Sequence, residues 1–215
     1  MQETGTQETG KAPARPPRTR QPPHIRRQMI TEAARTVIAG HGLHATTLRD
    51  VAAAADVALG TVTYHFTGID EVLAEVLKSE MLIYSAPITD AAQEAATGRA
   101  GLDVVIDGLL ASDERAGEHW RLWLDFWTLA AHNAEYSAWQ SQIYRDLHAV
   151  VAGLLRRGHA DGSLTVTDPV REAVEFVAML DGLVVQSYLR QSQITPDQAR
   201  AMLKSYAWQT MPARD

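Results

Sequence analysis

The chain has 215 residues, 46% of them apolar, and contains no cysteine. Wholesale disorder, disulfide staples, thiolate metal sites and cysteine nucleophiles are therefore excluded. No apolar run approaches the roughly 18 residues that cross a bilayer, and residues 1–10 are polar, without the apolar core of a secretion signal; a cytoplasmic protein with no membrane partner is expected. The net charge of −6 argues against nucleic acid until its distribution is considered. Residues 1–68 hold eight Lys and Arg against five Asp and Glu, so the acidic excess lies wholly in the remainder. A basic end on an acidic body suits a chain of which one end meets phosphates.

Residues 1–23 are rich in Gly, Pro, Gln, Thr and Arg, without periodicity, and read as a disordered basic arm. The first helix follows, with Ile30, Ala33, Ala34, Val37 and Ile38 on one apolar face and Gly40 and Gly42 expected to end it in left-handed conformations. A short helix begins at Thr47, whose hydroxyl can cap it, with Asp50 near the positive end of the dipole; Leu48, Val51, Ala52 and Ala55 form its inner face. Asp56 marks a tight turn. A third helix, about 58–66, is anchored by Val62 and Phe66, and Thr67-Gly68 closes it. No strand-like alternation appears beyond this point. Helical patterns run at 70–95, 101–112, 118–131, 134–159, 169–191 and 196–209. Asp168-Pro169 and Thr195-Pro196-Asp197-Gln198 signal two of these starts, the latter as a capping box. The fold class is all-α, with about nine helices.

Two short helices joined by a tight turn, the second pinned from beneath, describe a helix-turn-helix whose second helix fits the major groove. With Val62 and Phe66 turned inward, Leu59, Gly60, Thr63 and Tyr64 face outward. Gly60 permits close backbone approach, and Thr63, Tyr64 and His65 carry groups that contact phosphates. Thr61 and Leu59 suit base edges or a thymine methyl. The string Thr47-Leu48-Arg49-Asp50-Val51-Ala52 through Val57-Ala58-Leu59-Gly60-Thr61-Val62-Thr63-Tyr64-His65-Phe66 closely resembles the DNA-binding segment of TetR-family regulators. Trp123-Leu124-Asp125-Phe126-Trp127, Gly158-His159-Ala160-Asp161-Gly162-Ser163-Leu164 and Leu180-Asp181-Gly182-Leu183 resemble the body of its BetI-like branch.

The resemblance implies a three-helix DNA-binding head at 24–69 and a larger effector-binding and dimerisation body at 70–215. It implies DNA contacts from Thr47, Arg49, Leu59, Gly60, Thr61, Thr63, Tyr64 and His65, with Arg49 placed to read guanine O6 and N7. The chain departs from the family pattern at Thr63, where tyrosine is usual, at Ile69, where lysine is usual, and at Asp56, which replaces a turn glycine. An arm bearing Arg15, Arg18, Arg20, Arg26 and Arg27 is expected to restore the lost phosphate grip.

In the body, Val170, Val174, Val177, Val184 and Tyr188 form one stripe of a helix that carries a second stripe at Ala173, Phe176, Leu180 and Leu183. Two apolar faces require two partners. With Met202, Leu203 and Tyr206 of the next helix, the expectation is a four-helix interface between two copies, matching a palindromic double-stranded operator. The dimer positions are thus Val170, Val174, Val177, Val184, Tyr188, Met202 and Tyr206; the competing reading buries this helix in a monomer.

Trp120, Trp123 and Trp127 share one helix face, with Phe126, Tyr136, Trp139 and Tyr144 nearby. Such a face serves a packed core or an aromatic wall for a small organic effector. The pocket candidates are Tyr84, Trp120, Trp123, Trp127, His132 and Tyr136, with Asp125 and Gln140 as further polar orienters. Aromatic cages favour quaternary ammonium groups. No nucleophile elbow, phosphate loop, dinucleotide fingerprint or metal-ligand spacing is present, so neither catalysis nor a cofactor is expected. The expected function is that of a repressor released from its operator by an effector that shifts the fourth helix.

Overall fold

The computed structural model describes residues 22–214. Among them every regular element is helical. The head comprises α1 (Pro23–His41), a 3₁₀ turn (Leu43–Ala45), α2 (Leu48–Ala54) and α3 (Leu59–His65). The body comprises α4 (Ile69–Glu80), a π-helical turn (Met81–Ser85), α5 (Ala86–Glu94), α6 (Gly98–Leu109), α7 (Glu114–Ala130), α8 (Ala134–Asp161), α9 (Pro169–Tyr188) and α10 (Pro196–Thr210). α4, the π turn and α5 run on as a single rod, so the nine expected helices are all present. The helix expected at about 70–95 contains one wide turn, Met81–Ser85.

Local chemistry explains the boundaries. Thr47 and Asp50 form a full capping box: Thr47 Oγ1 accepts from Asp50 N, and Asp50 Oδ2 accepts from Thr47 N at 2.8 Å. Thr195 and Gln198 form the same device on α10, and Asp168 caps α9 ahead of Pro169. Asp56 turns the chain between α2 and α3 with φ 49°, filling the left-handed position of the usual glycine. Gly42 has φ 85°, but Gly40 stays within α1, so one left-handed residue ends that helix rather than two. α6 and α7 begin earlier than their apolar patterns suggest because Thr97 and Asp113 cap them, accepting from Ala100 N and Ala116 N.

The core is continuous from head to body. Ile30, Ala34, Ile38, Val51, Val62 and Phe66 close the head; Leu102, Ile106, Leu122, Phe126, Leu155, Phe176, Leu180 and Leu203 fill the body. α6 crosses α8 unusually closely, and glycine makes this possible. A Cβ on Gly98 would lie 2.1 Å from the backbone nitrogen of Gly158, with no flexible side chain to yield. Among the described residues, no helix is long and apolar enough to cross a membrane.

This crossing sets a direct test. Gly98→Ala is expected to lower unfolding free energy in urea by roughly 2 kcal/mol or more, the overpacking range. Gly153→Ala, at a helical position open to solvent, is expected to be neutral or to stabilise by up to about 1 kcal/mol. Equal midpoints for the two variants would refute the close-crossing account.

Candidate DNA-reading head and body cavity

α3 has seven residues, too few to be helical alone, and is held from below. Val62 is fully buried and Phe66 is 1% exposed. Arg27 of α1 packs against Phe66. Its guanidinium lies 4.2 Å from the Phe66 ring centroid, donates to the His65 carbonyl, and pairs with Glu71 and Glu75 of α4 at 3.2 and 3.0 Å. Glu71 is held in turn by the backbone N–H and hydroxyl of Thr67, which with Arg27 draw its carboxyl below the usual range. Arg27 is therefore a structural clamp, and its charge is already matched. This corrects its assignment to a DNA-seeking arm. Arg26 also lies within α1, while Arg15, Arg18 and Arg20 fall outside the described residues.

The opposite surface of the head is open. Tyr64 is 80% exposed and Leu59 38%; Thr47, Arg49, Gly60 and Thr63 are exposed, and Thr61 and His65 half-buried. The Thr47 hydroxyl already donates to Asp50 Oδ2 at 2.7 Å. It caps its helix and has no free hydrogen for a phosphate oxygen, which only accepts.

In the body, a cavity of about 180 Å³ lies between the π turn, α5, α6, α7, α8 and α9. Trp120, Trp123 and Trp127 form one wall, as their spacing suggested. Gln140 also lines it, joined by Met81, Ser85, Ile143, Tyr144 and Asp181, and by His119. The aromatic segment serves both readings given to it. Tyr136 and Trp139 instead pack edge-to-face on buried Phe126, with centroids 5.8 and 5.0 Å away. Tyr136 is thus core rather than cavity wall. His132 is exposed in the α7–α8 turn, beyond the last lining tryptophan. Tyr84 stands behind the wall, stacked at 4.0 Å on His119 with its hydroxyl donating to Gly108 O. Asp125 points at the head, where it accepts from Leu43 N at 2.7 Å.

His119 had no distinguishing sequence pattern, yet it joins the cavity to a buried charge cluster. Its Nδ1 lies 3.0 Å from Glu80 Oε2, and Arg115 pairs with Glu80 Oε1 at 2.7 Å. Glu80 is completely buried and His119 is 1% exposed. Burial alone would raise the Glu80 carboxyl, but bonds from His119 and Arg115 outweigh it and hold the group below its ordinary value. For His119 burial wins over Glu80 and lowers the ring's pKa. Nδ1–H therefore donates to Glu80 from a neutral imidazole.

On the dimer stripe, Val170 and Val174 of α9 are 57% and 44% exposed, and Met202 of α10 is 46%. Val177 and Val184 are buried in the protomer's own core, and the Tyr188 hydroxyl donates to Ala111 O; Tyr206 is half-buried. The stripe through positions 170, 177, 184 and 188 turns largely into the protomer, and the outward row runs on the adjacent face through Val174, Val185 and Leu189, the last two 37% and 53% exposed.

The lowered His119 pKa has a pH consequence. The folded state binds fewer protons at this site than the unfolded one, so its stabilisation is complete above about pH 6.5 and declines as pH falls below that. Asp181, pushed by burial to about 6, acts oppositely and adds stability on acidification through that value. His119→Gln is therefore expected to tilt the melting-temperature profile between pH 7 and 5 toward higher stability at acid pH than wild type shows. Parallel profiles would contradict a neutral buried ring.

Comparison with known proteins agrees with this architecture. Residues 30–76 match the model of bacterial regulatory proteins of the tetR family, and residues 98–211 match that of the BetI-type transcriptional repressor C-terminal domain. The HTH-type transcriptional regulator BetI of Vibrio parahaemolyticus is 25% identical over 186 residues, covering 86% of this chain and 91% of that protein. BetI of Rhizobium meliloti is 26% identical, covering 85% and 87%. Among solved structures, a transcriptional regulator from Saccharomonospora viridis in complex with choline superimposes with a TM-score of 0.82 at 22% identity, covering 87% of this chain and 98% of that one. The SmeT–triclosan complex gives 0.71 at 21% identity, covering 89% and 93%. With the second of the two family models spanning more than half its length, the chain belongs to the TetR family of DNA-binding transcriptional regulators and carries a BetI-type C-terminal domain.

Proposed function

We propose that the chain is a homodimeric repressor that binds a palindromic operator through its head, residues 24–69, and is released when a small molecule fills the cavity of its body. The observation that carries this reading is the construction of α7. Glu118, Arg121 and Asp125 lie on one face at i, i+3, i+7 and bond to the head: to Arg35 at 2.6 Å, to Ala39 O at 2.9 Å and to Leu43 N at 2.7 Å. Trp120, Trp123 and Trp127 repeat the same spacing two residues on, nearly opposite, and wall the cavity. A single rigid helix thus touches both sites. A ligand that shifts or rotates α7 strains three head contacts at once, and α4 carries the same displacement through its covalent link and its grip on Arg27. Such coupling requires the ligand to favour one head position over the other.

The reading face comprises Arg49, Leu59, Gly60, Thr63 and Tyr64, flanked by Thr61 and His65. Dimerisation is assigned to the exposed row Val170, Val174, Val185, Leu189 and Met202, which two copies would bury in a four-helix contact. The effector is a compact organic molecule matched to aromatic walls. Choline and triclosan, bound by two proteins of this fold, differ too much to name its class.

Footprinting on the DNA flanking the chain's own gene tests the operator reading. Arg49→Ala is expected to weaken operator binding by about 1–3 kcal/mol and to relax base preference at one position. Tyr64→Phe is expected to weaken all sequences alike if its hydroxyl serves a phosphate. An unchanged footprint in both variants would end this assignment. Coupling is tested separately with any compound that raises the melting temperature. Glu118→Gln is expected to leave that compound's affinity within about two-fold while shrinking the ratio of operator affinities without and with it by roughly 3-fold or more, the scale of a single coupling residue. A full ratio in the variant would exclude α7 as the route.

A further inference from the structure

Four charged side chains meet where the head, α4 and α7 come together. Glu80 ends α4 and is completely buried, and Arg115 of α7 pairs with its Oε1 at 2.7 Å. Arg35 of α1 pairs with Glu118 of α7 at 2.6 Å. The same groups admit a second complete pairing. Arg35 Nε already stands 4.0 Å from Glu80 Oε1, just beyond hydrogen-bond reach. Arg115 and Glu118 are three residues apart on one helix, the spacing at which opposite charges meet. Exchange of partners gives Arg35–Glu80 and Arg115–Glu118, and again answers all four charges. Glu32, which also holds Arg35 at 2.9 Å, lies on α1 itself and favours neither arrangement.

The two arrangements hold different elements together. In the first, α7 is tied to the head through Glu118 and to α4 through Arg115. In the second, Arg115–Glu118 lies within α7, and Arg35 joins the head to α4 directly. Burial makes the four groups unequal. The side chains of Arg115 and Glu118 are 33% and 23% exposed and can turn to water, whereas that of Glu80 is 0% exposed. Glu80 must therefore keep a cation in either arrangement, because an unanswered buried carboxylate is costly. Two neighbours favour movement at this point. The π turn begins at the next residue, where helical register can adjust. His119 holds the other oxygen of Glu80 at 3.0 Å and stands in the cavity wall.

We propose that these four residues form a two-position latch, in which Arg35 and Arg115 exchange carboxylates and α7 thereby holds or releases the head. The structure has the holding position. The latch supplies the two discrete states that coupling between cavity and head requires. The exchange is a property of the chain whatever fills the cavity. Only its trigger, displacement of the His119 ring, rests on the cavity's being the effector site.

Arg115→Gln in the full chain tests the latch, because it removes the cation that Glu80 now uses and leaves Arg35 to replace it. The crystal structure of the variant is expected to have Arg35 within hydrogen-bond distance of Glu80 and Glu118 turned to solvent. Its melting temperature is expected to fall by no more than about 4 °C, whereas a buried carboxylate left without a cation would lower it by roughly 10 °C or more. On the duplex defined by footprinting, affinity is expected to drop at least about five-fold, the lower end of allosteric couplings, although Arg115 lies outside the head. Adding Glu80→Gln removes the buried charge that recruits Arg35. Arg35 then returns to Glu118, and affinity is expected to recover to within about two-fold of wild type, a non-additive pair of effects. Arg35 still on Glu118 in Arg115→Gln, or an unfolded single variant beside a folded double variant, would each overturn the exchange. An exchange seen in the crystal with unchanged duplex affinity, or a loss that the double variant does not recover, overturns its control of the head. If no duplex is protected, the repressor reading fails, and the crystal structure and melting temperature still decide whether the partners exchange.

Discussion

A seven-residue helix cannot persist in water on its own hydrogen bonds, and the whole head is arranged around that deficit. α3 is helical because Val62 and Phe66 are buried beneath it and because Arg27 ties its last carbonyl and the ring of Phe66 to two carboxylates of α4. The same interaction does a second thing. It fixes α3 to α4 rather than to α1 alone, so the surface that presents Arg49 and Tyr64 moves with the helix entering the body. Rigid presentation and mechanical linkage come from one guanidinium. A lysine could supply the charge but neither the planar stacking nor the fork that reaches Glu71 and Glu75 together.

The body repeats this economy in α7. Seventeen residues give nearly five turns, enough for two faces with unrelated tasks. Polar residues bond to the head, and tryptophans two positions away line the cavity. Glu80 sits where α4 passes into the π turn, gripped by Arg115 and His119 of α7, with Arg35 of the head 4.0 Å away. Pairs of this kind add little net stability over apolar packing, but breaking one leaves a costly buried charge. They therefore favour discrete arrangements over gradual ones. A π turn at this junction, with Met81 and Ser85 in the cavity wall, provides a place where helical register can adjust.

What the sequence made legible followed period and capping. Helix count, the caps at Thr47, Asp168 and Thr195, the inward pair Val62 and Phe66 and the tryptophan wall all rest on local rules. The errors came where a residue's role depends on an element far along the chain. Arg27 looked like part of a basic arm because its acceptors, Glu71 and Glu75, lie more than forty positions away. Asp125 looked like a pocket residue because its partner, Leu43 N, belongs to the head. Val177 and Val184 were placed on the outer stripe of α9 with Val170, whereas the exposed row lies on the adjacent face through Val174, Val185 and Leu189, because which side of an apolar helix meets its own core is decided by its neighbours and not by its period. His119 carried no local signal, and Asp181 stood only within a string that resembles a family, since a lone histidine or aspartate acquires its role only from what surrounds it.

Several groups unfavourable to the fold lie in the cavity wall. Asp181 has no cation among the described residues, Gln140 Oε1 and Trp127 Nε1 have no partner there, and the adjoining His119 is kept neutral by burial. Local stability is sacrificed where another molecule can restore it. A cavity lined only by apolar rings would bind many molecules weakly and would have no stake in any of them. Unsatisfied polar groups discriminate because the wrong ligand leaves them unsatisfied, and on the proposed function the stability they withhold from the empty protein is the free energy that binding would direct, through α7, to the head.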